Sequence, residues 1–532
     1  MIKSRKALAL ILSFILAFSS LFALTAGADD HCDCGFTPIV CLHGHQDLYK
    51  FDGQGGAVKF GSDDDEMLDA AIDELIPLFA KALVTQNWDE YCDRLVELIT
   101  PIYEPIAGDE NFNLPENTGP LWSWTPDDVT PWHSEQYAHY DYEYDHRIPL
   151  QDVADDLHEY IEVIKEKTGH DKVILISRCA GTNLLQAYLY KYERPNGYSD
   201  LEKVMFICGN TYGADFAEAL FSGNVKINSE AAYRWLKSYN ISDYIGEELA
   251  YYLYAVLDML EQTYADRALY AAVNMIYGKI KDRGISRILK LFHGITPGFV
   301  AFVYENYDDY KNYIFQEPGD KEKYAYAISK FDEFHDIQLA TEDMLKEMAA
   351  VGIETDTIAY YGDQTYPIMP SASLASDRVS SVADQSFGAT ASAVTGVLSN
   401  DYINSRIALG LGGYISPDRQ IDASTCLFPD TTWFLKNGKH QFYGYGGVFD
   451  RLFFDIGRQK NMTVKTDPRY PQFLNFNKAE NEWESTIVPA KEHNDNDFDW
   501  AAIDYDRRHG ILNFFKMLFE LFKKLLSGAF KA

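Results

Sequence analysis

Cysteine is scarce in this sequence, with seven among 532 residues. Small secreted domains that depend on disulfides carry many more, so a disulfide scaffold is excluded as the basis of the fold. Cys32, Cys34 and Cys41 lie close together, and a disulfide among them is plausible in an exported protein. A metal site there is the weaker alternative, because no second cysteine pair follows at a metal-ligand spacing.

Positive charge is also scarce, because 47 Lys and Arg residues face 80 Asp and Glu residues and give a formal net charge of −33. Such an acidic chain should repel the phosphates of nucleic acid, so nucleic-acid binding is excluded as a function. The sequence also lacks an internal repeat, a nucleotide-binding motif and a metal-binding motif. We therefore predict no cofactor and no metal ligands.

The N-terminus has the three parts of a secretory signal peptide. Three basic residues precede an apolar run at 7–24, and the small residues of 26–28 follow it. This order predicts cleavage after residue 28 and a secreted or surface-associated protein. An uncleaved anchor helix is the alternative.

Predicted strands and helices alternate along much of the chain. Short apolar runs typical of buried strands occur at 38–42, 173–176, 204–208, 357–361 and 431–435. Amphipathic spacing predicts helices at 67–81, 88–106, 152–168 and 183–192. The alternation predicts an α/β fold with a mostly parallel sheet flanked by helices. Residues 216–350 are mainly helical in pattern, which indicates an insertion over the sheet, and the Ser-, Ala- and Gly-rich stretch 370–413 is predicted to be an extended loop.

The sequence Ser177-Arg178-Cys179-Ala180-Gly181 stands between a predicted strand and a predicted helix. A nucleophile elbow of the form Gly-x-Ser-x-Gly occupies such a turn, and here cysteine takes the central position. A thiolate is a strong nucleophile, and the N–H of Ala180 would face a developing oxyanion. The loop after the first strand contains His45, whose N–H is the predicted second oxyanion donor. The alternative is a buried structural cysteine.

An acid and a histidine should follow the nucleophile in that order. His440, after the last predicted strand, is the predicted base. Asp418, in a turn after a Gly-rich stretch, is the predicted acid. Asp363, directly after a strand, is a rival for that role, and Asp422 is a weaker one.

Three stretches resemble the lecithin:cholesterol acyltransferase-like branch of the α/β-hydrolase superfamily. They are "YDYEYDHRIPLQDVADDLHEYIEVI", "KVILISRCAGTNLLQAYLY" and "VMFICGNTYGADFAEALFSG". The resemblance implies an α/β-hydrolase fold with a large helical cap, and a secreted lipase, phospholipase or acyltransferase acting on ester-linked lipids. It assigns Cys179 as nucleophile, Asp418 as acid and His440 as base. Cysteine replaces the family's usual serine, as it does in polyester synthases of the same fold.

The predicted organisation has five parts. They are a signal peptide at 1–28, a hydrolase core at 29–215 with a helical insertion near 66–108, a helical cap at 216–350, the rest of the core at 351–505, and an amphipathic helix at 506–532. The last helix has a wide apolar face and a basic stripe, which is typical of a membrane-interface helix. Packing on the protein's own body or on a second chain is the alternative for it.

The predicted function is hydrolysis or transfer of an acyl group from a lipid or other acyl ester by a Cys-His-Asp triad. Two alternatives stay open. The first is a catalytically inactive hydrolase-fold protein that binds lipid or a surface. The second is a thioesterase or an amidase, because the sequence does not decide among oxygen esters, thioesters and amides.

Overall fold

A computed structural model describes eleven segments of the chain, which are residues 36–43, 47–53, 56–60, 65–121, 123–133, 138–238, 247–438, 440, 448–477, 482–485 and 500–518. The predicted signal peptide, Cys32, Cys34, His45 and residues 519–532 lie outside these segments. Within them, no helix combines the length and the apolar character that crossing a membrane requires.

The strands are short and mostly buried. Numbered in chain order they are β1 (Ile39–Leu42), β2 (Tyr49–Phe51), β3 (Ala57–Lys59), β4 (Thr118–Gly119), β5 (Trp132–His133), β6 (Ala138–Tyr142), β7 (Val173–Arg178), β8 (Leu201–Ile207), β9 (Glu354–Tyr361), β10 (Thr390–Ala391), β11 (Ile421–Asp422), β12 (Thr432–Lys436), β13 (Phe473–Asn477) and β14 (Glu482–Ser485).

Nine strands form the central sheet, in the order β14-β13-β12-β9-β8-β7-β1-β6-β5. The seven strands from β13 to β6 are parallel, and an antiparallel strand closes each edge. The prediction of an α/β fold with a mostly parallel sheet is confirmed, and strands are found at each of the five predicted places. The parallel strand β13 was not predicted, because its sequence, FLNFN, carries two asparagines and lacks a continuous apolar run.

The described helices surround this sheet. In chain order they are α1 (Asp65–Thr85), α2 (Asp89–Tyr103), α3 (Leu150–Thr168), α4 (Gly181–Tyr188), α5 (Asp215–Phe221), α6 (Ser229–Ser238), α7 (Glu247–Gln262), α8 (Asp266–Ile280), α9 (Ser286–Ile295), α10 (Tyr307–Ile314), α11 (Asp320–Lys323), α12 (Ala325–Ala350), α13 (Val382–Gln385), α14 (Asn400–Ala408), α15 (Val448–Arg458) and α16 (Trp500–Arg508). Residues 510–518 are also helical.

Each face of the sheet has its own apolar layer, because side chains alternate between the faces of a strand. Leu175 of β7 and Phe206 of β8 belong to the layer that α3, α4 and α12 cover. Their neighbours Ile176 and Met205 belong to the opposite layer, which α15 covers. Helix α12 ends the segment predicted as a cap, yet its buried residues share the core of the sheet.

The parallel strands bring distant loops to one edge of the sheet. The chain leaves β1 at His43, β7 at Cys179, β8 at Cys208 and β12 at Asn437, all at the carboxyl ends of neighbouring or nearly neighbouring strands. Ligand sites of parallel α/β sheets lie in the crevice at this edge.

A buried ion pair joins β8 and β9 on the face of the sheet that α15 covers. The ammonium of Lys203 donates to Asp356 Oδ2 at 3.0 Å and to the carbonyl oxygen of Gln459 at 2.7 Å. Lys203 and Asp356 are both almost fully buried. Burial raises the pKa of Asp356 to about 7, against the attraction of Lys203, which lowers it.

We expect Lys203→Met to lower the free energy of unfolding by about 3–5 kcal/mol, because it leaves a buried carboxylate without its countercharge. The loss should be larger at pH 8 than at pH 6, since Asp356 is ionised in the folded wild type only above its raised pKa. Urea denaturation measures both values. Lys346→Met, which breaks an exposed pair with Glu342, is the control and should change little. Equal stability of Lys203→Met and wild type would show that the ion pair of Lys203 and Asp356 does not stabilise the fold.

Candidate active site

The backbone turns sharply where β7 meets α4. Cys179 has a φ of +51°, in the left-handed region that non-glycine residues seldom adopt. The carbonyl oxygen of Cys179 accepts hydrogen bonds from the N–H and the hydroxyl of Thr182, at 3.0 and 2.6 Å, which start the helix. A Cβ atom on Gly181 would stand 2.4 Å from the carbonyl oxygen of Leu42, so only glycine fits there. The turn therefore presents Cys179 at the carboxyl edge of the sheet.

The thiol of Cys179 contacts an imidazole from the loop after β12, three strands away in the sheet. Its Sγ lies 2.7 Å from Nε2 of His440. On the other side of the ring, Nδ1 of His440 lies 2.7 Å from Oδ2 of Asp377. His440 and Asp377 are both buried. The three side chains therefore form one continuous hydrogen-bonded chain from carboxylate to sulfur.

Asp377 is held in place by its own turn. Its second carboxylate oxygen, Oδ1, accepts the backbone N–H groups of Val379 at 3.0 Å and Ser380 at 2.8 Å. The backbone N–H of His440 donates to the carbonyl oxygen of Asp377 at 3.3 Å. These bonds fix the carboxylate relative to the ring, and such an arrangement selects the tautomer and orientation of a histidine base.

The electrostatics of the pair favour a thiolate and an imidazolium. Burial opposes ionisation of Cys179, but the attraction and hydrogen bond of His440, together with the backbone N–H of Ala180, lower its pKa below the ordinary thiol value. Burial likewise opposes charging of His440, but the neighbouring Cys179 and Asp377 raise its pKa well above the usual histidine value. The sulfur is therefore ionised under conditions in which an ordinary thiol is neutral.

The structure corrects the predicted acid. Asp418 is bonded to Lys436 Nζ at 2.8 Å and to the Tyr361 hydroxyl at 3.0 Å, and the carboxylate against His440 is Asp377. The rival Asp363 forms an ion pair with Arg378. The weaker rival Asp422 forms one with Arg406. These three carboxylates serve other contacts, so the assignment of Asp418 as the acid is wrong in this geometry.

Asp377 lies in the stretch 370–413, which the composition predicted to be a loop, and no strand directly precedes it. A local signal in the sequence could have identified Asp377. In Asp377-Arg378-Val379-Ser380 the carboxylate bonds to backbone N–H groups two and three residues on, and an aspartate at the start of a turn is typical of this arrangement.

The structure describes only one of the two predicted oxyanion donors. The N–H of Ala180 hydrogen-bonds to the sulfur of Cys179, so it faces the reacting atom. His45 lies outside the described residues, so its predicted role stays a prediction.

A mostly apolar cavity of about 240 Å³ opens beside the sulfur. Its apolar walls include Tyr144 and Leu150 from the region after β6, Phe216 from α5, and Phe299 and Phe302 from the short helix Pro297–Phe302. Asn183, Asn210 and Thr296 add polar groups to the lining. The cavity suits an apolar group whose reacting end is polar.

A second thiol lies close to the chain Asp377–His440–Cys179. Donor atoms of Cys208, Asp377 and His440 all lie within 4.8 Å of one another. Burial raises the pKa of Cys208 to about 12, although His440 lowers it, so this thiol stays neutral. His440 already bonds to Asp377 through Nδ1 and to Cys179 through Nε2, so both ring nitrogens have partners in the chain Asp377–His440–Cys179.

No family model matches the chain, and no curated protein is significantly similar to it.

We expect the alkylation rate of Cys179 by iodoacetamide to have its pH midpoint below the ordinary thiol value of about 8.5, because His440 stabilises the thiolate. His440→Ala should move the midpoint to higher pH. Mass spectrometry of the Cys179 peptide across pH 4–10 measures both. Cys92, whose pKa is raised by burial, is the internal control and should react slowly. A midpoint that does not move in His440→Ala would contradict the ion pair.

Proposed function

We propose that the protein is an α/β-hydrolase that hydrolyses or transfers acyl groups, with Cys179 as nucleophile, His440 as base and Asp377 as orienting acid. The observation that carries the proposal is the chain Asp377–His440–Cys179, with both contacts at 2.7 Å, beside an apolar cavity. Nucleophile, base and orienting carboxylate within hydrogen-bond reach are the signature of covalent acyl transfer.

The topology supports the hydrolase assignment. The nucleophile follows β7 in the middle of the parallel sheet, and the turn at Cys179 has the strained backbone of a nucleophile elbow. The acid and the histidine follow in that chain order, after β9 and β12. The order nucleophile, acid, histidine is the one that α/β-hydrolases use, whereas unrelated triads use other orders.

The mechanism begins with the thiolate of Cys179, which attacks the carbonyl carbon of an ester and forms a carbon–sulfur bond. The carbonyl π electrons move onto oxygen, which the N–H of Ala180 stabilises. The tetrahedral intermediate collapses, the carbon–oxygen bond of the ester breaks, and His440 gives its Nε2 proton to the departing alkoxide. The product of this half-reaction is a thioester on Cys179 and a free alcohol.

In the second half-reaction, His440 takes a proton from water or an acceptor alcohol as its oxygen attacks the thioester. The carbon–sulfur bond breaks, and the sulfur leaves as the thiolate that started the cycle. The carboxylate of Asp377 stabilises the imidazolium present in both halves without taking its proton. Water yields a free acid, and an alcohol yields a new ester.

The cavity favours an acyl group over a polar substrate. Phe299 and Phe302 come from the helical segment between β8 and β9, and they line the cavity together with residues of the sheet edge. We propose that this part of the segment acts as the cap over the acyl group. By excluding water, such a cover strengthens the electrostatic interactions at the reacting carbonyl.

The C-terminal helix supports a role at a lipid surface. Within the described residues 510–518, four apolar side chains are exposed, those of Ile511, Leu512, Phe515 and Leu518. The same segment is tied to α7, because the N–H of Ile511 donates to Gln262 and the amide of Asn513 donates to Asp258. We propose that the helix is anchored to the protein on one side and contacts lipid on the other.

We expect Cys179→Ala to abolish turnover of p-nitrophenyl esters, and Asp377→Asn to lower kcat by about 10²–10⁴-fold through loss of the correct histidine tautomer. Asp418→Asn is the matched control, since the same change at another buried carboxylate should leave kcat near wild type. Initial rates with short- and long-chain oxygen esters, thioesters and amides measure the effect and the preferred bond. Turnover by Cys179→Ala at the wild-type rate would remove Cys179 from the mechanism, whereas no turnover of any of these substrates by the wild type would favour an inactive lipid-binding scaffold.

We expect Phe515→Glu to weaken binding to phosphatidylcholine vesicles about tenfold or more, because it removes a large apolar side chain from the interface. Cosedimentation with vesicles measures the partition coefficient. Leu121→Glu is the matched control, since the two side chains are 61% and 62% exposed at Leu121 and Phe515. Equal binding by the two variants would show that the exposed face of the helix does not contact the vesicle, and would contradict the proposal.

A further inference from the structure

A second group of side chains with metal-binding chemistry lies at the carboxyl ends of β1 and β6. These strands are parallel neighbours, and Cys41 is paired in register with Asp141. His43 is two residues after Cys41, and His139 is two residues before Asp141. Because side chains alternate along a strand, Cys41, His139 and Asp141 lie on the same face of the sheet. They face the layer of α15, where the ring of His139 lies 4.9 Å from that of Phe454.

The donor atoms of these side chains converge. Nε2 of His43 lies 3.0 Å from Oδ1 of Asp141, and Nε2 of His139 lies 3.3 Å from the same oxygen. Donor atoms of Cys41, His139 and Asp141 all lie within 4.8 Å of one another. Ligands of a tetrahedral zinc ion stand roughly 3.3–3.6 Å apart, given zinc bonds of about 2.0–2.3 Å. The distance from His139 to Asp141 falls in this range, and the distance from His43 to Asp141 lies just below it.

We propose that Cys41, His43, His139 and Asp141 bind one Zn²⁺ ion. One sulfur, two imidazole nitrogens and one carboxylate oxygen are donors that zinc accepts, and four of them complete a structural tetrahedral site. The charges of a thiolate and a carboxylate balance the dication, so the site is neutral as a whole. This balance matters because Cys41 and His139 are fully buried, and burying uncompensated charge is costly.

The site has a path for the ion to enter. The side chains of Asp141 and His43 are 30% and 23% exposed, whereas that of His139 is buried. The ion would reach the exposed pair first and then bind the two buried donors. A zinc site closed by four protein ligands leaves no position for substrate, so its role is structural.

The proposed ion would fix the strand end on which the nucleophile turn rests. Gly181 packs against the carbonyl oxygens of Leu42 and His43. A Cβ atom at this position would lie 2.4 Å from the first oxygen and 3.1 Å from the second. His43 would thus be a zinc ligand through its side chain and a packing partner of α4 through its backbone. The proposal does not depend on the acyl-transfer function, because it concerns folding and metal content only.

The test is the metal content of the full-length protein, purified after equilibration with Zn²⁺ and gel filtration. We expect about one zinc per chain in wild type and its loss in Cys41→Ser and in His43→Gln. His43→Gln serves if Cys41→Ser fails to fold, since His43 is partly exposed. Zinc should raise the melting temperature of wild type but not of His43→Gln. Replacement by Co²⁺ should give an absorption band from cobalt–thiolate charge transfer that Cys41→Ser lacks.

Two control variants separate this site from other thiols. Cys92→Ser removes a buried cysteine of α2 and should keep its zinc. His440→Ala removes a donor of the catalytic cluster and should also keep it. Zinc retained in both Cys41→Ser and His43→Gln would overturn the proposal, as would zinc lost from His440→Ala, or a wild-type content under about one fifth of an ion per chain.

Discussion

The contact between Cys179 and His440 joins two residues that are 261 positions apart in the chain, and the arrangement of the candidate site depends on it. Local sequence predicts each residue's role but does not show that the two residues meet. The sulfur follows β7, the ring follows β12, and the carboxylate on the other side of the ring comes from the loop after β9. All three loops meet because the intervening strands are parallel and end at the same edge of the sheet.

The side chains of Asp377, His440 and Cys179 are hydrogen-bonded to one another and to backbone N–H groups. One oxygen of Asp377 accepts backbone N–H groups and the other faces the ring, while the sulfur receives the N–H of Ala180. Buried polar networks rigidify a site when they are fully satisfied. Only one of the two nearby thiols is activated, because Cys208 lacks the direct imidazole contact and burial keeps it neutral. Of the two thiols near His440 in the described part of the chain, only that of Cys179 is favoured as a thiolate.

The sequence was sufficient for the parts of the fold that have strong local patterns. Continuous apolar runs predicted the central strands, and the small residues around Cys179 predicted the sharp turn. Prediction from the sequence failed where contacts between distant parts of the chain decide which residue is used. Asp418 and Asp377 both follow β9 in the chain, and only the packing of their loops shows which one reaches His440. The proposed zinc site also has no motif in the sequence, since the pairing of β1 with β6 is what brings Asp141 beside Cys41.

The left-handed backbone at Cys179 implies a trade-off at this position. A residue with a Cβ atom pays about 1–2 kcal/mol for that conformation, which glycine would adopt without strain. Selection for thermal robustness alone would therefore favour glycine here. The proposed nucleophile role of Cys179 would offset this loss of stability, in the manner of stability–activity trade-offs at functional sites.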